Sequence, residues 1–420
     1  MNPVTIHLAT AMVPVNTPPF ASGGVAVRGG SIVEVGDKQR LLRSYPNAEV
    51  IEWEGALLPG LVNAHTHLQY TSLEAVGSAS HPSYVAWSER FVAEYEARWG
   101  EDWAASARKG LRLALSSGTT ALGDVVTDAV ALGVLGEAGV AGVAYLELIG
   151  VDEPRWQGEV GERTIETLRS LPGAGDFSVG LSPHAPYSVD RPVLEEAAML
   201  ARRLGVRIHT HLAESDTEDD YYRYGRGALA ERVTLRVGRP WSVLAYGGVG
   251  QGAAAFALSC GLLGPDSHVA HGVYLGDEGR RILRETSTYV ALCPRSNLTV
   301  GIDPPPIADF LREGSPIAVG TDSLGSSPSL DILADVSLLH QLALEAGYEE
   351  PDLAQKLLEA ATIGGARALG LGSRTGSLEP GKRADMAVFD VDPELRGIEE
   401  RIVARGAGHC QTTVVFGEIK

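Results

Sequence analysis

The stretch "LVNAHTHLQY", residues 61–70, places His65 and His67 directly after a short apolar run. Side chains alternate along a β-strand, so residues two positions apart point to the same face. Pro59 and Gly60 interrupt the preceding apolar run, which disfavours a helix. We therefore interpret the stretch as the end of a buried strand that presents two imidazoles side by side. Two ordinary, partly buried histidines are the alternative, and the rest of the chain decides between them.

Bulk composition limits the classes of protein and partner. The chain has 420 residues, of which 44% are hydrophobic and 21% charged, an ordinary globular balance. The formal net charge of -18 argues against a nucleic-acid partner, which needs a basic face. Cys260, Cys293 and Cys410 lie far apart, so we expect neither a disulfide framework nor a cysteine-rich zinc site. No secretory signal or membrane span is recognisable, and we expect a cytoplasmic protein with no membrane partner.

Short apolar runs alternate with longer amphipathic ones from about residue 56. The apolar runs, predicted as strands, are residues 57–62, 119–123, 140–149, 177–181, 206–211, 268–272, 288–293 and 317–320. Helical patterns lie between them at residues 104–116, 191–203, 228–237, 276–284 and 330–346. Eight strands with interleaved helices predict an α/β fold, a (β/α)8 TIM barrel over residues 56–373. A doubly wound open sheet would need a Gly-rich turn after its first strand, where this chain has histidines.

The two ends of the chain differ in character from the barrel region. Residues 1–55 and 374–420 both contain alternating, β-prone pieces separated by glycine turns. Neither end has enough strands for a stable core by itself. We therefore predict one small β-sandwich domain formed by both termini.

A barrel of this kind has its active site at the carboxyl ends of its strands. Most of the chain's eleven histidines fall there. The rim residues are His65, His67, His184, His209, His211, Glu214, His271 and Asp322. We interpret His7, His81, His268 and His340 as structural, and the acidic stretch 215–220 as a solvated helix start. Clustering at one rim favours a functional site over scattered structural histidines.

Three imidazoles and one carboxylate form the ligand set of a catalytic metal site with one open position. His65, His67, His211 and Asp322 fit that count. His209 lies two residues deeper on its strand, and we expect it to pack in an inner layer.

A bound divalent ion lowers the pKa of water to about 7, which supplies a nucleophile without serine or cysteine. Glu214 follows a ligand by three residues and is free to transfer protons. Asp322 and His271 can accept the proton of the water. The reaction class predicted from these residues is metal-assisted hydrolysis.

Seven ordered segments carry a resemblance to a known family. They are "LLPGLVNAHTHL" (57–68), "SPHAPYSV" (182–189), "HTHLAES" (209–215), "AHGVYL" (270–275), "CPRSNLTVG" (293–301), "GTDSLGSSPSLD" (320–331) and "GSLEPGKRADMAVFD" (376–390). Together they resemble the amidohydrolase superfamily, in the branch that holds aminopurine nucleoside deaminases, guanine deaminase and triazine chlorohydrolases. The resemblance implies a barrel with a small β-sandwich, and His65, His67, His211 and Asp322 as metal ligands.

The same resemblance implies roles for three further residues and for the metal. Glu214 corresponds to the proton shuttle to a ring nitrogen, His271 to the group that orients and activates water, and His184 to a contact with nucleoside or leaving group. Relatives with two metals usually bridge them with a carbamylated lysine, but no lysine occurs between residues 110 and 355. A single divalent ion is therefore expected, zinc by preference and iron as the alternative.

Within the branch, "CPRSN" followed by "GTDSLGSSPSLDIL" is most similar to the 6-aminodeoxyfutalosine deaminases of the alternative menaquinone pathway. That substrate is a small molecule whose benzoate tail needs a cationic partner, for which Arg155 and Arg295 are the candidates. Trp87 is the candidate for a contact with the purine face. Deaminases of adenosine, S-adenosylhomocysteine or guanine, a chlorohydrolase, and a non-catalytic scaffold stay open as alternatives, as does a homodimer.

Overall fold

The computed structural model of the protein describes residues 3–171, 176–237 and 241–420. The strands are β1 Val4–Met12, β2 Phe20–Arg28, β3 Ser31–Asp37, β4 Glu49–Pro59, β5 Leu61–Thr66, β6 Thr119–Val126, β7 Ala141–Leu148, β8 Phe177–Pro183, β9 Ile208–Leu212, β10 Ser267–His271, β11 Tyr289–Leu292, β12 Ile317–Val319, β13 Met386–Phe389, β14 Cys410–Val415 and β15 Glu418–Ile419. They form one sheet of eight strands and one of seven.

Helices connect most of these strands. The α-helices are α1 Lys38–Ser44, α2 Glu74–Gly77, α3 Tyr84–Ala97, α4 Trp103–Ser116, α5 Val134–Glu137, α6 Glu153–Arg155, α7 Gly161–Ser170, α8 Arg191–Leu204, α9 Thr217–Tyr224, α10 Ala228–Val237, α11 Ser242–Ala245, α12 Ala253–Ser259, α13 Asp277–Glu285, α14 Pro294–Thr299, α15 Ile307–Arg312, α16 Ile332–Glu345, α17 Leu353–Glu359, α18 Gly365–Ala368 and α19 Ile398–Arg405. Short 3-10 helices cover Leu68–Leu73 and Ala129–Ala131, and π-helical turns cover Trp156–Val160 and Ala360–Gly364. Within the described ranges, none of the helices combines the length and the apolar character that a membrane crossing requires.

The eight-stranded sheet consists of β5 to β12 in chain order, and each neighbouring pair is parallel. Capping residues mark both ends of helix α8, which follows strand β8. The carboxylate of Asp190 accepts a hydrogen bond from the backbone N–H of Arg191 at the start of α8, and Gly205 ends that helix with a φ of 68°. Eight parallel strands with intervening helices confirm the predicted (β/α)8 barrel.

The first and last strands of the barrel, β5 and β12, meet through backbone and side-chain hydrogen bonds. The N–H groups of Thr321 and Asp322 donate to the carbonyl of His65 at 3.1 and 3.0 Å. The side-chain amide of Asn63 donates to the hydroxyl of Thr321 at 2.7 Å and accepts from its N–H at 3.2 Å. Gly320 permits this approach, because a Cβ there would lie 2.8 Å from the Cβ of His65. Closure of the barrel therefore places Asp322 beside His65.

The seven-stranded sheet draws β1 to β4 from the N-terminal part of the chain and β13 to β15 from the C-terminal part. Strand β3 forms one edge, yet its Ser31 pairs with Arg383, which precedes β13. The sheet therefore curls over itself and encloses a second apolar core. Residues of this core include Met12, Val25, Val27, Leu57, Met386, Val388 and Val414. The predicted small β-sandwich from both termini is confirmed, and its two layers belong to one curled sheet.

The junction between the two sheets corrects one predicted strand. Leu57 pairs with Val388 in the terminal sheet, whereas Leu61 pairs with Thr119 in the barrel. The predicted strand 57–62 thus spans the end of β4 and the start of β5, and the predicted boundary at residue 56 falls inside β4. Both strands are buried and apolar on either side of Gly60, so no change in composition marks the boundary.

Candidate active site

Four histidines from three parts of the chain and one aspartate from a fourth meet at the carboxyl ends of the barrel strands. His65 lies in β5 and His67 directly follows that strand. His211 lies in β9, and His271 is the last residue of β10. Asp322 follows β12 by three residues. All five side chains are buried, so the rim that the sequence predicted is an enclosed polar site.

We refer to His65, His67, His211 and Asp322 as the rim cluster. The Nε2 atoms of His67 and His211 lie 3.3 Å apart. One carboxylate oxygen of Asp322 lies 3.6 Å from Nε2 of His65 and 3.7 Å from Nε2 of His67. One ligand atom from each of the three histidines falls within 4.8 Å of the others, and the same holds for His65, His271 and Asp322. The geometry therefore surrounds one small space with nitrogen and oxygen ligands.

Hydrogen bonding tests whether these residues suit a metal ion. Nδ1 of His211 lies 2.7 Å from the carbonyl oxygen of His184, which can only accept, so Nδ1 carries the proton. Nε2 of His211 then presents a lone pair towards His67. The buried Nε2 atoms of His65 and His271 have no hydrogen-bond partner. Buried polar atoms are normally paired, and unpaired imidazole nitrogens beside a carboxylate fit a divalent ion.

Burial sets the protonation of the rim cluster. It lowers the pKa of His65 to about 3 and also lowers the pKa of His211, so both imidazoles are neutral, as metal ligands must be. Burial works against the charge of Asp322, but the adjacent rings of His65, His67 and His271 hold the pKa of this carboxyl group well below its usual range. Ser296 Oγ donates to this carboxylate at 2.6 Å and the N–H of Ser323 donates at 2.8 Å. The cluster thus combines neutral nitrogens with one carboxylate anion.

Three non-glycine residues at this rim adopt left-handed backbone conformations. The φ angles are 71° for His271, 59° for Asp322 and 51° for Ala213. Such conformations cost of order 1–3 kcal/mol each and persist where the surroundings enforce them. Two of the three residues carry predicted functional side chains, and Ala213 precedes Glu214 directly. The strain is therefore concentrated where side chains are aimed at the site.

Glu214 and His271 form the proton-transfer part of the rim. A carboxylate oxygen of Glu214 lies 3.6 Å from Nε2 of His271. Burial raises the pKa of Glu214 to about 7, and the nearby carboxylate of Asp322 acts in the same direction. Nδ1 of His271 lies 3.1 Å from the amide oxygen of Asn297, so Nδ1 donates and Nε2 is left as an acceptor. A carboxyl group with this pKa can hold or release a proton near neutral pH.

His184 packs against His211, and a further carboxylate lies near both rings. The ring centroids of His184 and His211 are 4.6 Å apart, and Nδ1 of His184 is 2.7 Å from Oγ of Ser188. Glu147 in β7 brings a carboxylate oxygen within 4.8 Å of nitrogen atoms of both histidines. One oxygen of Glu147 accepts from the hydroxyl of Thr127 at 2.5 Å, and the other has no partner.

Helix α3, none of whose residues is fully buried, contributes side chains to the same rim. Nε1 of Trp87 donates to the carbonyl oxygen of Gly325 at 2.9 Å, in the loop that carries Asp322. The hydroxyl of Tyr84 lies 3.2 Å from that of Tyr187 and lies near Glu214, whose pKa it lowers. Helix α3, which carries Trp87, therefore lies beside the site. A contact between Trp87 and a purine stays a prediction.

The two arginine candidates occupy different environments. The guanidinium of Arg295 donates to Asp335 at 2.7 and 3.0 Å, and also to Ser329 and to the carbonyl of Asp331. These intrachain bonds disfavour a contact of Arg295 with substrate, which stays a prediction. Arg155 is exposed at the end of α6 and donates to the carbonyl of Gly150 at 2.6 Å, so its substrate contact stays a prediction.

Sequence reasoning did not select Glu147, Asn297 or Glu218. Glu218 is 1% exposed and its carboxylate accepts from the N–H groups of Ala213, Glu214 and Ser215, so it shapes the loop that carries Glu214. This corrects the interpretation of 215–220 as a solvated helix start. A lone acidic residue at the end of an apolar strand, as in "AYLELIG", is the signal that would have indicated Glu147.

Comparison with known proteins extends these observations to the whole chain. The sequence model of the amidohydrolase family matches residues 56–419. The chain belongs to the amidohydrolase family. The resemblance inferred from the seven segments is therefore confirmed, and the chain is a hydrolase acting on carbon–nitrogen bonds.

Two similar curated proteins share one name. A protein of Moorella thermoacetica is 32% identical over 424 residues, which cover 97% of this chain and 92% of the relative. A protein of Haloarcula marismortui is 32% identical over 382 residues, which cover 88% of this chain and 80% of the relative. Both are named 5-methylthioadenosine/S-adenosylhomocysteine deaminase.

Solved structures agree with the fold. An adenosine deaminase from Xanthomonas campestris with bound zinc superposes with a TM-score of 0.81 at 24% identity, covering 99% of this chain and 92% of that one. Helicobacter pylori aminofutalosine deaminase, in complex with methylthio-coformycin, gives a TM-score of 0.83 at 22% identity, covering 99% and 100%. At these identities the likeness shows the shared architecture alone.

Proposed function

We propose that this amidohydrolase is a metal-dependent hydrolytic deaminase of adenine nucleosides. The observation that carries the proposal is the position of Glu214, a buried carboxyl group with a pKa near 7, beside His271 and the rim cluster. A proton donor next to a metal site is what hydrolysis of an aromatic amidine requires. The names of the curated relatives support adenine nucleosides as the substrate class.

In this proposal the rim cluster holds one divalent ion, zinc by preference and iron as the alternative. Such an ion supplies a Lewis acid that lowers the pKa of water to about 7. His271, fixed by Asn297, accepts a hydrogen bond from the attacking water through Nε2. Glu214 delivers a proton to ring atom N1 as the water oxygen bonds to C6. Nε2 of His271 takes one proton of the water and passes it to the amino group, and the hydroxyl proton of the adduct returns to Glu214. The C6–N bond then breaks, and ammonia and the 6-oxo nucleoside leave.

A single ion suits these residues better than two. Glu147, His184 and His211 also converge, but Nδ1 of His211 is bonded to a carbonyl and its Nε2 faces His67. One imidazole nitrogen cannot serve two ions, so a second site would keep only two protein ligands. Lysine is also missing between residues 110 and 355, where two-metal relatives carry their bridging group.

The contacts of the arginines bear on the substrate within this class. A carboxylate-bearing tail needs a cation, yet Arg295 is committed to Asp335, and a buried carboxylate, Glu147, lies near the site. These contacts favour adenosine or 5-methylthioadenosine. The second candidate is 6-aminodeoxyfutalosine, in menaquinone biosynthesis, which the segments "CPRSN" and "GTDSLGSSPSLDIL" favour and for which Arg155 would supply the cation.

A substrate panel tests the proposal and separates the candidates. The full chain, loaded with zinc or iron, is assayed for ammonia release from adenosine, 5-methylthioadenosine, S-adenosylhomocysteine, 6-aminodeoxyfutalosine and guanine, and for chloride release from a chlorinated triazine. We expect an adenine nucleoside to give the highest kcat/KM, and a tenfold preference, ~1.4 kcal/mol, to identify the substrate. Chloride release, a preference for guanine, or full activity after exhaustive chelation would contradict the proposal.

A further inference from the structure

The carboxylate of Glu147 is held rigidly, and one of its two oxygens is unused. Glu147 is buried, with 8% of its surface exposed. The hydroxyl of Tyr70 lies 2.6 Å from that of Thr127, which in turn donates to Glu147 at 2.5 Å. Tyr70 stacks on His67 with ring centroids 5.4 Å apart. The carboxylate is therefore fixed relative to the rim cluster, while its Oε1 has no hydrogen-bond partner.

Neither an ion pair nor a second metal accounts for this oxygen. In the described part of the chain, Glu147 forms no ion pair with a lysine or arginine. A second ion is disfavoured because His211 has no nitrogen left to share. An unpaired buried carboxylate oxygen destabilises the site, and a bound molecule that donates a hydrogen bond to it would remove that penalty.

The chemistry of an adenine nucleoside decides which of its groups can donate. The 6-amino group lies at the reacting carbon, where ammonia leaves. The remaining ring nitrogens N1, N3 and N7 are acceptors, so the base offers no second donor. Only the hydroxyl groups of the sugar are left as donors to the ionised form of Glu147, in which Oε1 can only accept. We propose that Glu147 accepts a hydrogen bond from a sugar hydroxyl and makes the enzyme selective for hydroxylated nucleosides, an inference that rests on the proposed function.

The variant Glu147→Gln tests this contact. The hydroxyl of Thr127 retains the amide oxygen, so the amide NH2 group takes the place of Oε1 and an acceptor becomes a donor. Hydrogen bonds to charged groups contribute about 1.5–3 kcal/mol, and we expect kcat/KM for adenosine to fall about 10- to 100-fold. Glu196→Gln is the matched control, since Glu196 on α8 is also hydrogen-bonded, to Trp156 at 2.6 Å, but lies outside the site.

Substrates that lack one hydroxyl complete the experiment. Wild type and variant are assayed with adenosine and with its 2′-deoxy, 3′-deoxy and 5′-deoxy analogues. The analogue that lacks the contacted hydroxyl should lose activity with the wild type but respond less than about threefold to Glu147→Gln. A merely structural role of Glu147 would lower kcat/KM for all four substrates by the same factor.

Two results overturn the inference: an unchanged kcat/KM for adenosine, or an equal loss on all four substrates. If Glu147→Gln does not fold, Thr127→Val gives the same test, because it frees the carboxylate that Thr127 positions. Thr127→Val should lower kcat/KM for adenosine but leave kcat/KM nearly unchanged for the analogue that lacks the contacted hydroxyl. Equal losses of kcat/KM on all four substrates would again overturn the inference. Failure of the proposed function is distinct, since the wild type would then release ammonia from none of these nucleosides.

Discussion

The rim cluster and the junction between barrel and terminal sheet both bury ionisable groups, but the groups at the junction are paired and several at the rim are not. At the junction, Arg383 pairs with Asp176 at 2.9 Å and with Asp385 at 2.8 Å. Asp385 also accepts from the hydroxyl of Thr375 and the N–H of Phe416. At the rim, Nε2 atoms of buried histidines have no partner and the backbone is strained.

This difference indicates what each region is for. Paired charges at the junction fix the barrel to the terminal sheet without needing any other molecule. Unpaired nitrogens and left-handed backbone at the rim cost stability, and a sequence keeps them where a ligand completes them. If this interpretation is right, substitutions at the rim change activity far more than folding, and substitutions at the junction do the reverse.

The largest expected effect is loss of a rim nitrogen. His65→Ala removes one ligand of the proposed ion, so we expect kcat/KM to fall about 10⁴-fold, ~5.5 kcal/mol, together with the bound metal. Kinetics and elemental analysis of the purified variant measure both quantities. His340→Ala on α16 is the control. Wild-type turnover by a metal-free His65→Ala protein would contradict the assignment of the rim.

Glu214→Gln should have the next largest effect, because it removes the proton donor and leaves the ligands in place. We expect kcat/KM to fall about 10³-fold, ~4 kcal/mol, with metal content unchanged. The retained metal distinguishes this variant from His65→Ala. Asp220→Asn on the same segment serves as control, since Asp220 pairs with Arg226 at the surface. More than a tenth of wild-type activity in Glu214→Gln would rule out its proposed role.

The sequence predicted the rim better than its surroundings, and the reason is physical. Strand periodicity and the common edge of parallel strands bring His65, His211 and Asp322 together whatever the loops do. The role of Arg295 depends on Asp335, 40 residues further along the chain, and no local pattern encodes that pairing. Glu147 was missed because its signal, one acidic residue at the end of an apolar strand, is local and does not repeat along the chain.

Arg383→Met should break the junction and leave the rim intact. Removing one partner of a buried ion pair costs about 3–5 kcal/mol, and we expect about 3 kcal/mol, because Arg374 still pairs with Asp176. Chemical denaturation measures the free energy of unfolding, and kcat at a temperature where the variant is folded should stay within about twofold of wild type. Arg374→Met is the matched control: its side chain is 58% exposed, so its loss should cost less than about 1 kcal/mol. A large loss of kcat in folded Arg383→Met would show that junction and rim are coupled.

The smallest expected effect depends on pH and concerns His7 in the terminal sheet. Nε1 of Trp53 donates to Nδ1 of His7, and burial lowers the pKa of His7 from 6.5 to about 4. Between these two values the unfolded chain binds a proton that the folded chain does not, so folding stability falls as the pH falls from 6.5 towards 4.

Each pH unit in that window costs roughly 1.4 kcal/mol, whereas above the window His7 is neutral in both states and contributes no pH dependence. When the pH is lowered from about 7.5 to about 5.5, the free energy of unfolding of the wild type should therefore fall by roughly 1.4 kcal/mol more than that of His7→Gln. His409→Gln, at an exposed histidine, is the matched control. A difference between His7→Gln and wild type that stays constant across this range would mean that the terminal sheet tolerates a charged imidazole at position 7. Burial of an imidazole would then carry no cost in stability at acidic pH, and the comparison between the terminal sheet and the rim would fail.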